Sequence, residues 1–108
     1  MINTANVIFP NEAERERLAL LAEECGEVIQ MIGKILRHGY EHIKENDSGE
    51  TNRQKLQKEV LDVMMIVGLF EQYKDITILD ISTEDCIALC KKKQKYLRFN
   101  KFSIANDN

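Results

Sequence analysis

The sequence predicts an all-α protein: a helical bundle of two long antiparallel helices plus a C-terminal helix, its four-helix-bundle core completed by dimerisation. Three observations predict it. Apolar residues recur at i, i+3 and i+4 over two long stretches, and each stretch opens on a capping signal. The chain of 108 residues holds one proline and no strand-like segment with a second to pair with. A length of 108 residues suits one domain and one core, read as residues 1–108 with an N-terminal arm over 1–10 and a tail over 99–108.

The first helix starts after Pro10. Asn11 is a favourable N-cap, and Glu14 stands where a capping-box partner belongs. Leu18, Leu21, Ala22, Cys25, Val28, Ile29, Ile32, Ile35 and Leu36 then supply the apolar arc, and Gly39 the stop. Residues 40–50, YEHIKENDSGE, are polar and turn-rich and read as a loop. The second helix begins near Thr51, where T-N-R-Q offers another capping box, and runs to about Tyr73. Residues 74–82, KDITILDIS, are β-branched enough for a strand, but a lone strand pairs with nothing, so they read as a connector packed on the bundle. Ser82 or Thr83 caps a third helix, with Glu84 and Asp85 suited to its dipole. Its inner stripe is Cys86, Leu89, Cys90, Lys93, Tyr96 and Leu97, with Tyr96 in the core. In the tail, Phe99, Phe102 and Ile104 are placed to dock on a neighbour.

Composition narrows the partners. The net charge of −3 argues against nucleic acid as the main partner, since phosphate backbones are held by excess Lys and Arg. The longest stretch free of polar side chains, Val63 to Phe70, falls well short of the roughly 20 residues that span a bilayer. The start of the chain, MINTANVIFPNEAE, shows no basic segment followed by an apolar block, so no secretion signal is expected. Three cysteines, Cys25, Cys86 and Cys90, form no C-x-x-C pair and are expected as free thiols in a cytoplasmic protein.

The informative feature is where the carboxylates fall. Between Val60 and Phe70 every residue is apolar or Gly except Asp62. At 100° per residue, Glu59 and Asp62 share one face of the second helix with Val63, Ile66 and Leu69. On the first helix Glu24 and Glu27 repeat the i, i+3 spacing, bracketed by Leu20 and Met31, with Glu23 further round. Four acids on apolar faces repel one another unless protonated, paired with bases or bound to cations. Lys58 points elsewhere, Lys34 lies two turns beyond Glu27, and only Lys55, one turn before Glu59, is well placed. Oxygen ligands without His or Cys suit Mg²⁺, with Mn²⁺ as the alternative. A magnesium site with Asp62 as a ligand in a core position is therefore the expectation. Solvated acids, a Glu59–Lys55 pair and an Asp62 satisfied within the core are the plainer readings of the same residues.

Glu23-Glu24-Cys25-Gly26-Glu27 followed by Glu59-Val60-Leu61-Asp62 resembles the E-E-x-x-E … E-x-x-D signature of the all-α nucleoside triphosphate pyrophosphohydrolases, the superfamily of MazG proteins. The surroundings LALLAEECGEVIQMIGKILRHGY and KLQKEVLDVMMIVGLF are similar to MazG-like helices of the short single-domain kind that phages carry. The resemblance covers roughly residues 15–98. It implies hydrolysis of a nucleoside triphosphate between its α and β phosphates, giving a monophosphate and pyrophosphate. By position, Glu24, Glu27, Glu59 and Asp62 would ligate Mg²⁺, and Glu23 would orient or deprotonate the attacking water.

A triphosphate also needs cations. Lys34, Arg37 and His38 end the first helix, and six basic residues with no acid run from Lys91 to Lys101. Lys93, which interrupts the inner stripe, and Arg98 are the candidates there, although a lysine run at a helix C-terminus also simply complements the dipole. His38 and His42 are i, i+4, but Gly39 between them ends the helix, so both are expected on the surface. Three helices around one seam cannot cover the apolar arcs of both long helices, which predicts a homodimer or homotetramer. The rival readings are a non-catalytic helical oligomerisation or interaction module, a di-iron bundle lacking its Glu-x-x-His pairs, and a nucleic-acid binder resting on the lysine run. Base and sugar preference are set by pocket shape and are not legible.

Overall fold

A computed structural model describes residues 8–78 and 80–100. Much of the arm over 1–10, Leu79 of the connector, and Phe102 and Ile104 of the tail lie outside the described residues. Three helices follow one another: α1 (Glu12–His38), α2 (Asn52–Gln72) and α3 (Thr83–Gln94). Among the described residues there is no strand, only one antiparallel bridge between Ile43 and Thr51. The chain divides into two compact units between Ile76 and Thr77. None of the described helices is long and apolar enough to cross a membrane.

The caps form as their chemistry dictates. Asn11 Oδ1 accepts the Glu14 N–H at 2.9 Å while Glu14 Oε1 accepts the Asn11 N–H at 2.8 Å. Thr51 and Gln54 make the same reciprocal pair at 3.1 and 2.9 Å. Ser82 Oγ accepts from Asp85 N–H at 3.0 Å, so Ser82 rather than Thr83 is the cap of α3. Gly39, at φ 91°, ends α1 in a conformation open to glycine, and its N–H returns to the Ile35 carbonyl at 2.7 Å.

In the first unit α1 and α2 pack antiparallel. At one end Asn52 and Arg53 donate their N–H groups to the carbonyls of His42 and Tyr40, at 3.0 and 2.8 Å. These bonds give two orphan donors of the α2 N-terminus a partner in the loop. The buried Asn52 side chain adds a bond from Nδ2 to the Gly39 carbonyl at 3.0 Å. At the other end Lys74 adopts a left-handed turn (φ 62°) and Asp75 N–H bonds the Phe70 carbonyl at 2.8 Å. That turn aims Asp75 back at Arg17, which meets it with Nε–Oδ2 at 2.6 Å and Nη2–Oδ1 at 3.0 Å. The Arg17 guanidinium also lies 4.4 Å from the Tyr73 ring centre.

The shielded positions of the hairpin follow a coiled-coil rhythm. On α1 they include Glu14, Arg17, Leu21, Glu24, Val28, Met31 and Ile35; on α2, Asn52, Leu56, Glu59, Val63, Ile66 and Phe70. Both runs alternate steps of three and four, the spacing of a left-handed seam. Met31 and Phe70 are the only buried apolar side chains among the described residues, and neither is completely enclosed.

The apolar arc of the first helix is wider than the seam covers: Leu18, Ala22, Cys25, Ile29, Ile32 and Leu36 form a stripe one position round from it and are exposed. Expectations for the third helix are corrected. The third helix ends at Gln94, because Tyr96 and Leu97 turn back onto the carbonyls of Lys93 and Gln94. Its expected inner stripe is exposed, and Tyr96, expected in the core, is 76 % exposed. The β-branched connector forms no strand in its described residues, as its lack of a partner required.

Candidate functional site

Midway along the α1–α2 seam the two helices each turn a pair of acids toward the other. Glu24 and Glu27 from α1 and Glu59 and Asp62 from α2 bring one carboxylate oxygen apiece to within 4.8 Å of one another. The seam rhythm explains the pairing. Glu24 and Glu59 occupy seam positions, and Glu27 and Asp62 stand one turn on, at its margin. Glu24, Glu27 and Glu59 are partly shielded while Asp62 is exposed, so Asp62 is not the core residue that its apolar neighbours in sequence imply. Those neighbours, Leu61, Met64 and Met65, are themselves 52–59 % exposed. The acids placed in grease are Glu24 and Glu59.

Their electrostatics match that position. Oε2 of Glu24 and Oε2 of Glu59 are buried with no hydrogen-bond partner. Burial, and then the charges of Glu27 and Asp62, hold the Glu24 carboxyl above the usual carboxylate range. Glu59 is raised first by the neighbouring Glu27 carboxyl, then by burial and by the charges of Glu27, Asp62 and Glu24. Lys55, the base that sequence spacing offers to Glu59, is turned away: its ammonium is paired with Asp47 of the loop. Lys58 is likewise paired with Glu50. The central acids are left facing each other. Glu23 is exposed and stands outside the group of four.

The predicted phosphate ligands divide between the two units. Lys34 and Arg37, in the last two turns of α1, line a cavity of about 250 Å³ beside the α1–α2 turn. Lys44 of the loop and Lys55 of α2 add to its wall. His38 and His42 are exposed, as expected, and their rings stack with centres 5.0 Å apart and line the same cavity, beside Asn52. Lys93 stands in the last turn of α3, and Arg98 follows three residues after the C-cap Lys95, both in the second unit. Lys44 and Asp47 were not singled out in the sequence, because nothing in a polar loop marks which of its charges fold back on the helix. Compared with protein-family models, curated proteins and solved structures, the chain matches none.

Proposed function

We propose that this protein is a Mg²⁺-dependent nucleoside triphosphate pyrophosphohydrolase, cleaving between the α and β phosphates to give a nucleoside monophosphate and pyrophosphate. The observation that carries the proposal is the convergence of four carboxyls on the seam, two of them with a buried oxygen that no protein group satisfies. A buried unpartnered carboxylate oxygen is costly, and the like charges of the two neighbouring acids add to that cost. A hard divalent cation fits this donor set, which is all oxygen with neither His nor Cys. Glu24, Glu27, Glu59 and Asp62 would hold Mg²⁺, or Mn²⁺ in its place. When bound, the metal neutralises phosphate charge and aligns the phosphate chain for in-line attack. The E-E-x-x-E … E-x-x-D resemblance supports the same assignment and supplies the reaction.

In this reading the residues of the chain divide the work. Glu23, exposed beside the cluster, accepts the proton of the attacking water. The water oxygen bonds to the α phosphorus, and the bond from that phosphorus to the α–β bridging oxygen breaks, releasing pyrophosphate. Lys34 and Arg37 hold the phosphate chain. The exposed stripe Leu18, Ala22, Cys25, Ile29, Ile32 and Leu36, with Val60, Leu61, Met64 and Met65 on α2, supports assembly as a homodimer or homotetramer in which a second copy completes the four-helix core. That same stripe favours one alternative, a non-catalytic oligomerisation module, which needs the apolar face but not the acids.

A panel of NTPs and dNTPs with Mg²⁺, scored for pyrophosphate against orthophosphate, tests the reading. Pyrophosphate and monophosphate in equal amounts are expected. Orthophosphate alone, or no turnover with any nucleotide, would replace the enzyme by the module.

A further inference from the structure

The cavity at the α1–α2 turn has a composition unlike the rest of this acidic chain. Four of its lining side chains, Lys34, Arg37, Lys44 and Lys55, are cationic, and none is acidic. Neither Lys34 nor Arg37 makes an ion pair among the described residues. The stacked imidazoles of His38 and His42 add up to two further N–H donors, and Asn52 holds the floor by its bond to Gly39. At about 250 Å³ the cavity is smaller than pockets that enclose a whole drug-sized ligand, roughly 300–1,000 Å³, but it has room for linked phosphate groups. Arg37 offers a planar fork and the lysines point charges, the two modes by which proteins hold phosphate.

One cation of this cavity is already engaged. Asp47, fixed by an N–H bond from Ser48 at 2.7 Å, holds the Lys55 ammonium. Lys55 lines the cavity and Asp47 does not; their side chains are 19 % and 34 % exposed. Asp47 is on a loop with two left-handed residues, Asn46 at φ 60° and Gly49 at φ 83°, and it is free of the helix hydrogen-bond ladders.

We propose that this cavity is a metal-independent site for a phosphate chain, and that Asp47 is its internal competitor, holding Lys55 until an arriving phosphate takes its place. The inference deepens the proposed function, resting on it for the role of Lys34 and Arg37 as phosphate ligands and for the source of the anion, the triphosphate tail or the pyrophosphate product. The site itself stands on residues outside the carboxylate cluster. Lys55 lies one helical turn from Glu59. Exchange of Lys55 from Asp47 to phosphate thus brings a positive charge under ligand control one turn from the acids.

The experiment is calorimetric titration of the full chain with inorganic pyrophosphate in EDTA, repeated with orthophosphate and with a nucleoside monophosphate. Wild type is expected to bind pyrophosphate and to take the other two more weakly. Asp47→Asn is expected to tighten pyrophosphate binding about three- to five-fold, the scale of a part-exposed ion pair. In a Lys55→Ala background the same Asp47 change is expected to do nothing, which separates competition for Lys55 from a general change of charge. Absence of pyrophosphate binding in both wild type and Asp47→Asn overturns the site. Equal tightening with and without Lys55 overturns the competitor. Magnesium-dependent hydrolysis is scored separately. A chain that binds pyrophosphate in EDTA yet cleaves no triphosphate upholds the cavity while removing the proposed enzyme, and a chain that cleaves triphosphate but binds no pyrophosphate in EDTA does the reverse.

Discussion

Two charged layers of one seam, a heptad apart, are built in opposite ways. At Arg17 the guanidinium meets Asp75 through two hydrogen bonds and covers the Tyr73 ring. At Glu24, seven residues and about 10 Å further along α1, the facing group is Glu59, another acid, and the nearest base is committed to the loop. The Arg17 layer answers its own charge from within the chain, and Asp75 is accordingly held below the usual carboxylate range by the guanidinium bonded to it. The Glu24 layer has two buried carboxyl oxygens without a hydrogen-bond partner. The seam therefore holds charge in both places, met by its opposite within the chain at Arg17 and, in the proposed function, by a cation at Glu24.

The contrast is broken most severely at its acidic half. Glu59→Gln, or Glu24→Gln, is expected to lower pyrophosphate release by at least roughly 100-fold, beyond the loss seen when a mere supporting partner of a metal ligand is removed. Helical content by circular dichroism is expected to persist, and the melting temperature in EDTA to rise, because repulsion is relieved. Undiminished turnover in either variant would sink the site assignment.

Magnesium is the next lever. A saturating cation stabilises by mass action, about 2.7 kcal/mol at 100 times its dissociation constant. The melting temperature of wild type should climb with Mg²⁺ while that of Glu59→Gln stays flat. Equal responses would mean that the cation binds elsewhere.

Acid should move the two layers in opposite directions. Glu24 and Glu59 have raised proton affinities, so the folded chain holds more protons there than the unfolded chain. Their layer is most stable below the unfolded carboxyl range and loses stability as pH climbs through the raised values. Asp75 is depressed, so its contribution is present above the unfolded range and is lost as pH falls through its folded value. In EDTA, comparing wild type with Glu59→Gln isolates the first slope and comparing it with Asp75→Asn the second. Slopes of the same sign would contradict the assignment of unlike layers.

Arg17→Met leaves Asp75 without its partner and is expected to lower the melting temperature without altering turnover per folded molecule, a check that the self-answered layer serves stability alone. The smallest effects belong to the caps: Asn11→Ala and Thr51→Ala should each cost about 1 kcal/mol in chemical denaturation. A cost near zero would mean that solvent replaces those bonds.

The existence of the helices and the capped ends of α1 and α2 were legible because capping is local chemistry, whereas the end of α3 at Gln94 was not. Asn11, Glu14, Gly39, Thr51 and Gln54 announce their roles within three or four residues of one another. The four acids were legible as two i, i+3 pairs on apolar faces. Which of them lies in the seam was not, since α1 carries two parallel stripes and periodicity alone does not say which one α2 covers. Asp62 looked buried for the same reason: its neighbours are apolar, but Val63 and Ile66 face the seam while Leu61, Met64 and Met65 face outward. The capture of Lys55 by Asp47 was hidden too, because the loop between them has no periodicity from which a fold-back can be read.

The two stripes of α1 differ in register by a single residue. Leu21, Glu24, Val28, Met31 and Ile35 are each followed immediately by Ala22, Cys25, Ile29, Ile32 and Leu36. Deleting one residue of α1 ahead of Leu21 would slide the second set into the places of the first, turning the helix about 100°. Glu24 and Glu27 would swing away from the seam, while Glu59 and Asp62 on α2 would stay in place opposite apolar side chains. The cluster of four acids is thus one deletion from dispersal, whereas a length change within residues 40–50 leaves the register of both helices intact.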